Sequence, residues 1–240
     1  SSSGHLVLAE AVIGFRPPGL YVEVWLHLAT LLSVLVAYWS RIRALVHGLL
    51  TRQHEAWRYA GLLLLASVPA AVAGLFFRDF FERSFESGIS LGIQFIITGL
   101  ILWLTKPALE RATGERIGAG AALAIGVAQA LAILPAISRS GTTIATALWL
   151  GIAPGPAAEF SFLMSIIAVA GSGLLEARHI PPGTDLLSAG LVVGFVAALV
   201  SGIWAIRFLV ALLRSRRFHV FAIYCVAIGT FTILWYAVRR

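Results

Sequence analysis

Pro135-Ala136-Ile137-Ser138-Arg139-Ser140-Gly141-Thr142-Thr143 interrupts an otherwise apolar stretch that extends from residue 117 to residue 153. The apolar run on either side of this break is too short to cross a hydrocarbon layer about 30 Å thick, which takes roughly 20 helical residues. Backbone that leaves the helix at membrane depth survives only where protein or a water-filled cavity supplies its hydrogen bonds. The spacing therefore predicts a re-entrant pair of half-helices, with an arginine at the point where they break.

The rest of the chain places that hairpin in a membrane. Of 240 residues, 59% are hydrophobic and 12% are charged, and the mean hydropathy is +0.91. Ordinary soluble domains are about one quarter charged, so this composition excludes a water-solvated globule. Six apolar runs are long enough to span, at roughly 20–40, 57–77, 88–105, 157–176, 186–207 and 218–238. The fold class is thus an all-α polytopic membrane protein with six transmembrane helices plus re-entrant half-helix hairpins. A net charge of +7 would suggest nucleic acid in a soluble chain. Here the arginines fall in connections between apolar runs, where they set orientation, and no nucleic-acid partner is expected.

A second polar punctuation opens the chain. Ser1-Ser2-Ser3-Gly4-His5-Leu6 aligns over Ser138-Arg139-Ser140-Gly141-Thr142-Thr143, and three spanning runs follow each segment. Three spans are an odd number, and a re-entrant loop returns to its own side. The second half must then lie inverted with respect to the first, giving repeats over 1–112 and 116–240 within one membrane domain. Inverted repeats place binding sites at broken helices near the bilayer midplane.

Charge orients this plan. The 41–58 connection holds Arg41, Arg43, Arg52 and Arg58 against Glu55, and the 207–217 connection holds Arg207, Arg214, Arg216 and Arg217. The 78–86 and 176–185 connections each carry one more acid than base. The arginine-rich connections are assigned to the cytoplasm. The first Ser/Gly segment then dips in from outside and the second from the cytoplasm, with Arg239-Arg240 as a minor violation.

Ionisable groups inside the bilayer cost about 2.5–3.5 kcal/mol even on lenient insertion scales, which marks them as functional candidates. His5, Glu10, Glu23, His27, Arg139 and Glu159 qualify. Snorkelling to the interface accounts for Glu23 and His27, and compensation of a helix dipole accounts for Glu159. Arg139 resists such a reading. Free N–H groups at the break, the hydroxyls of Ser138, Ser140, Thr142 and Thr143, a permissive Gly141 and a guanidinium fork together suit a phosphate or pyrophosphate. Ser1, Ser2, Ser3, Gly4 and His5 offer a nucleophile with a base, or a phosphate-binding hydroxyl with a general acid. A Ser-rich helix cap is the structural alternative for both segments. A carrier that binds a phosphorylated lipid headgroup without cleaving it is the functional alternative.

These two segments resemble the motifs of the BacA-type undecaprenyl-pyrophosphate phosphatases. The family's Pro-x-Ser-Ser-(Ser/Thr)-Gly-His-Leu is matched from Ser1 to Leu6, and its Pro-Gly-x-Ser-Arg-Ser-Gly-x-Thr from Pro135 to Thr143. The similarity extends through Val68–Leu75 and Ala157–Leu163, with Ala136 in place of a Gly and Ile167 where a Pro is common. The resemblance implies hydrolysis of a C55 isoprenyl pyrophosphate to the monophosphate and inorganic phosphate. That reaction recycles the lipid carrier of bacterial wall synthesis and confers bacitracin resistance. It implies Ser2 as nucleophile, with His5 as general acid/base or the alternative nucleophile. Arg139, Ser138, Ser140 and Thr143 would clamp the pyrophosphate, with Ser1, Ser3, Gly4, Gly141 and Thr142 lining the substrate. A divalent cation, Mg2+ or Ca2+, is implied on two Glu residues that the family carries one helical turn apart before the Ser run. No metal ligand is identifiable in this chain. It lacks an initiator Met, has Met164 alone, and begins after that point, so a trimmed form without those carboxylates is expected. Cys225, the single cysteine, gives no disulfide framework. The expected setting is a bacterial plasma membrane, with the site open to the outer face. Small-residue runs such as Gly118-Ala119-Gly120-Ala121 could pack helices within one chain or in a homodimer.

Overall fold

A computed structural model describes residues 1–14, 20–77, 80–81, 88–178, 180 and 188–238. Within them, helices α1 (Ser2–Ile13), α2 (Leu20–Ala37), α3 (Trp39–Leu50), α4 (His54–Phe76), α5 (Gly88–Trp103) and α6 (Lys106–Arg111) lie in residues 1–112. Helices α7 (Ala119–Leu131), α8 (Arg139–Trp149), α9 (Pro154–Ala177), α10 (Ala189–Arg214) and α11 (Phe221–Val238) lie in residues 116–240. Five helical stretches are long and apolar enough to cross a membrane, and a sixth is reached if α2 and α3 count as one bent span. The all-α polytopic architecture read from composition is the one observed.

Residues 117–153 form the expected hairpin. Helices α7 and α8 have 13 and 11 residues, lengths of about 20 and 16 Å at 1.5 Å per residue. The backbone N–H of Gly114 donates to the carbonyl of Gly151 at 2.8 Å, and that of Ala153 donates to the carbonyl of Gly114 at 2.8 Å. The chain therefore returns after α8 to where it left α6, which is what re-entrance requires.

Two boundaries differ from the sequence reading. The first span was expected to reach residue 40, but α2 ends at Ala37 and α3 leaves it at 78°. Arg41, Arg43 and His47 alternate with Ile42, Leu45 and Leu49 along α3, a pattern suited to a helix lying in an interface rather than to a loop. Helix α10 continues to Arg214, so Arg207 belongs to a helix and not to a connection. A side chain with a long aliphatic stem can remain within an apolar helix while its head reaches water.

The helices pack in pairs. Helix α5 crosses α11 where Gly92 faces Gly229, and a Cβ on either glycine would stand 2.7 Å from the other's carbonyl oxygen. Helix α2 packs on α9 and α10, and Ser33 Oγ donates to Leu199 O of α10 at 3.0 Å. Helix α4 covers α7. Around Gly118 and Gly120 nothing lies within 4 Å of a Cβ, whereas Ala121 of the same run packs against the core. The acidic connections, apart from Phe80, Phe81, Glu176 to Arg178 and Ile180, lie outside the described residues, as do Arg239 and Arg240.

Candidate functional site

Why Pro135 to Thr143 breaks follows from who holds its backbone. Two polar residues of α5, one helical turn apart, take the groups that the break leaves unpaired. Gln94 Oε1 accepts from the Ala136 N–H at 3.0 Å. Thr98 Oγ1 donates to the Ala136 carbonyl at 3.0 Å and accepts from the Ser138 N–H at 3.1 Å. Pro135 brings no N–H to satisfy. Ser138 then caps α8, its Oγ accepting from the Gly141 N–H at 3.1 Å, as an N-cap serine does. Thr143 Oγ1 donates to the Arg139 carbonyl at 2.8 Å and also meets Ser161 Oγ of α9 at 2.6 Å. Gly141, Thr142 and Thr143 are buried, and Ser138, Arg139 and Ser140 are partly so.

The Arg139 side chain has one protein partner among the described residues, the Ser165 carbonyl at 3.5 Å, a contact at the limit of a hydrogen bond. No carboxylate forms an ion pair with it there. A guanidinium that is partly buried in an apolar protein and unpaired leaves most of its five donors for a ligand. Thr142 Oγ1, six per cent exposed at the residue level, lacks a hydrogen-bond partner among the described residues.

The first segment lies against the second. Ser1 Oγ donates to the Pro135 carbonyl. A Cβ on Gly4 would stand 3.0 Å from the Ala136 Cα and Cβ and 2.9 Å from the Phe95 ring. Glycine at position 4 thus accommodates the extra methyl at Ala136, the position where the resembled family carries a glycine. Helix α1 begins at Ser2 and α8 at Arg139, so two helix N-termini open beside the same short segment. Their unpaired N–H groups and positive dipole ends favour an anion between them. Ser2 is exposed and Ser3 partly buried. His5 Nδ1 lies 2.6 Å from the Ser1 carbonyl, His5 Nε2 lies 2.5 Å from Tyr224 Oη, and the Phe95 ring meets His5 edge-on.

The other ionisable candidates sit elsewhere. Glu159 is in the second turn of α9, and its Oε1 accepts from Arg41 Nε at 2.7 Å and from Tyr59 Oη at 3.2 Å. Pairing, not dipole compensation in the first turn, accounts for it. His27 Nδ1 stands 3.4 Å from Glu176 Oε2, and the side chain of Glu23 lies outside the described residues. Among the described residues no three of His, Cys, Asp and Glu come together to hold a metal. Both His5 ring nitrogens are already engaged, so the residues present do not make a resident cation site.

Sequence reasoning missed Gln94, Thr98, Ser161 and Tyr224. The first two carried a signal, being polar, one turn apart and inside an apolar run. Tyr224 gave none, because tyrosine in a span is ordinary.

Comparison with known proteins identifies a family. The family described as "Bacitracin resistance protein BacA" matches residues 1–231. An undecaprenyl-diphosphatase of Carboxydothermus hydrogenoformans is 42% identical over 242 residues, covering 98% of this chain and 89% of the relative. That of Methanothermobacter thermautotrophicus is 44% identical over 172 residues, 70% of this chain and 95% of the relative. That of Desulfosudis oleivorans is 37% identical over 257 residues, all of this chain and 92% of the relative. A membrane hairpin broken at Ser138-Arg139-Ser140, with a second Ser/Gly segment against it and this breadth of identity, places the chain in the BacA family.

Proposed function

We propose that the protein hydrolyses undecaprenyl pyrophosphate to undecaprenyl phosphate and inorganic phosphate, recycling the lipid carrier of wall synthesis. The observation that carries this reading is the contact of the two Ser/Gly segments beside Arg139, which has no carboxylate partner among the described residues. Their opposed helix N-termini offer N–H donors to the pyrophosphate, and Arg139, with Ser138, Ser140 and Thr143, compensates charge on the transferring phosphoryl group. Ser2 Oγ attacks the terminal phosphorus and gives up its proton to His5. The bridging P–O bond breaks, and isoprenyl phosphate leaves with the electron pair and takes the proton from His5. Water, deprotonated by the now neutral His5, attacks the phosphorus of the seryl ester; the P–O bond to Ser2 breaks, His5 returns the proton to Ser2 Oγ, and inorganic phosphate is released. The isoprenyl tail stays in lipid throughout. No step runs through a divalent cation, because no ligand set for one is present among the described residues.

The two halves, 1–112 and 116–240, act as an inverted repeat in this reading. Its support is that first spans α2 and α9 pack together, as do last spans α5 and α11. With the arginine-rich ends in the cytoplasm of a bacterial plasma membrane, the first segment, and with it the site, opens to the outer face.

The test is release of phosphate from undecaprenyl pyrophosphate by the purified protein in liposomes, with and without Arg139→Ala. Release that disappears with the variant supports the assignment. Equal turnover in both overturns it, and headgroup translocation without release transfers the site to a carrier.

A further inference from the structure

Tyr224 projects from α11 and is 51% exposed at the apolar surface of the protein. Neither the Ser/Gly motifs nor the mechanism above uses it. Its hydroxyl nevertheless takes the atom through which His5 would act. The Ser1 carbonyl can only accept, so the 2.6 Å contact fixes a proton on His5 Nδ1. In the neutral ring the lone pair then resides on Nε2, and Tyr224 Oη occupies it at 2.5 Å. The imidazole and phenol planes are parallel to within 1°, with centroids 5.7 Å apart. Parallel planes joined by so short a contact lie side by side, not face to face. The hydroxyl therefore meets Nε2 along its lone pair.

Two consequences follow from that occupancy. A neutral imidazole has a single lone pair, so no second donor can reach Nε2 while the phenol is there. A phenol oxygen that donates to Nε2 still has lone pairs of its own, and it can accept a proton as it gives one. Tyr224 stands on a rigid helix fixed by the Gly92–Gly229 crossing, and Phe95 packs the other side of His5. Its polar atom would be costly to strand in hydrocarbon, which keeps the contact made.

We propose that Tyr224 is the proton relay between His5 and the reacting hydroxyl, an inference that rests on the acid/base role given to His5 above. As Ser2 Oγ attacks phosphorus, its O–H bond breaks and the electron pair forms the new O–P bond. The released proton goes to Tyr224 Oη, while the phenol's own proton passes to His5 Nε2. The phenol ends unchanged, and His5 carries one added proton. When the leaving phosphate is protonated, both transfers reverse.

The experiment measures kcat and KM for undecaprenyl pyrophosphate in the intact protein. Tyr224→Phe keeps the ring and removes the relay, so kcat is expected to fall about 100-fold, within the range for general acid–base catalysis, while KM changes less than about two-fold. Mono-, di- and trifluorotyrosine at position 224 preserve shape and hydrogen bond but make the phenol progressively more acidic. The relay predicts a graded change of kcat across that series, whereas a packing role predicts none. His5→Ala separates this inference from the one beneath it. If His5→Ala retains turnover, the acid/base reading of His5 fails and the relay with it. If His5→Ala abolishes turnover while Tyr224→Phe and the fluorinated forms retain it, the relay alone is overturned.

Discussion

The two Ser/Gly segments have similar sequences and opposite settings. Around Ser138 the backbone is held from α5 by Gln94 and Thr98 and from within by the Ser138 cap, while α9 supplies Ser161 to Thr143. The run from Gly141 to Ala145 is buried throughout. Around Ser1, only Gly4 and Leu8 of α1 are buried, packed with Phe95 and Ala136, and the side-chain hydrogen bonds to the rest of the protein among the described residues are Ser1 to Pro135 and His5 to Tyr224. In the proposed mechanism the segment around Ser138 is a preorganised clamp, and the other carries the groups that exchange protons. A charge clamp gains most from rigidity, because its dipoles then need no reorganisation during reaction. A nucleophile and its base must shift between partners within one turnover.

The largest expected effect tests the rigid segment. Arg139→Ala removes the one cation at the break and is expected to lower phosphate release about 1,000-fold, the upper part of the range for losing a preorganised electrostatic donor. Its thermal midpoint is expected to stay close to the parent's, because the side chain makes one hydrogen bond among the described residues, at 3.5 Å. A variant that also unfolds would recast Arg139 as structural, and the contrast between clamp and reacting segment would collapse.

His5→Ala tests the other side. The expected loss is about 100-fold in kcat with KM little changed, as for removal of one acid/base group. A rise in KM with kcat preserved would make His5 a binding group and leave both segments with the same task.

Thr98→Val then asks how far the clamp depends on α5. The substitution keeps the shape and strands the Ala136 carbonyl and the Ser138 N–H, both of which Thr98 satisfies. Stability is expected to fall by about 1–3 kcal/mol per stranded group, and turnover by about 10-fold as the cap drifts from its productive position. Unaltered turnover with lowered stability would show that the break needs Thr98 to form and not to function.

Much of this was legible beforehand, for identifiable reasons. Short apolar runs around Ser138-Arg139-Ser140 cannot span, so the hairpin followed from length alone, and an arginine at its tip had no cheap structural explanation. The bend at Tyr38 was not legible, because 41–58 read as an arginine-rich connection until the side on which Arg41, Arg43 and His47 fall is known. Partners were harder still. Gln94 and Thr98 stood out as polar residues one turn apart, yet nothing in the chain says that position 136 lies beside them. The partner of His5 comes from a helix 219 positions away, and pairing at that range is fixed by how α5 packs on α11.

The smallest expected effect concerns the Arg41–Glu159 pair, and it sharpens the contrast by asking whether the rigid segment is coupled to the N-terminal end of α9. Glu159 accepts from Arg41 Nε at 2.7 Å and from Tyr59 at 3.2 Å, and the side chains of Arg41 and Glu159 are 43% and 30% exposed. Pairs with that much exposure contribute about 0–1 kcal/mol, and Glu159→Gln keeps an acceptor for the tyrosine. Turnover within about two-fold of the parent is therefore expected. The outcome is informative because Ser161, two positions along the same helix, holds Thr143 of the clamp. If losing one charge at Glu159 costs ten-fold or more in turnover, α9 transmits the state of the Arg41 pair to the rigid segment.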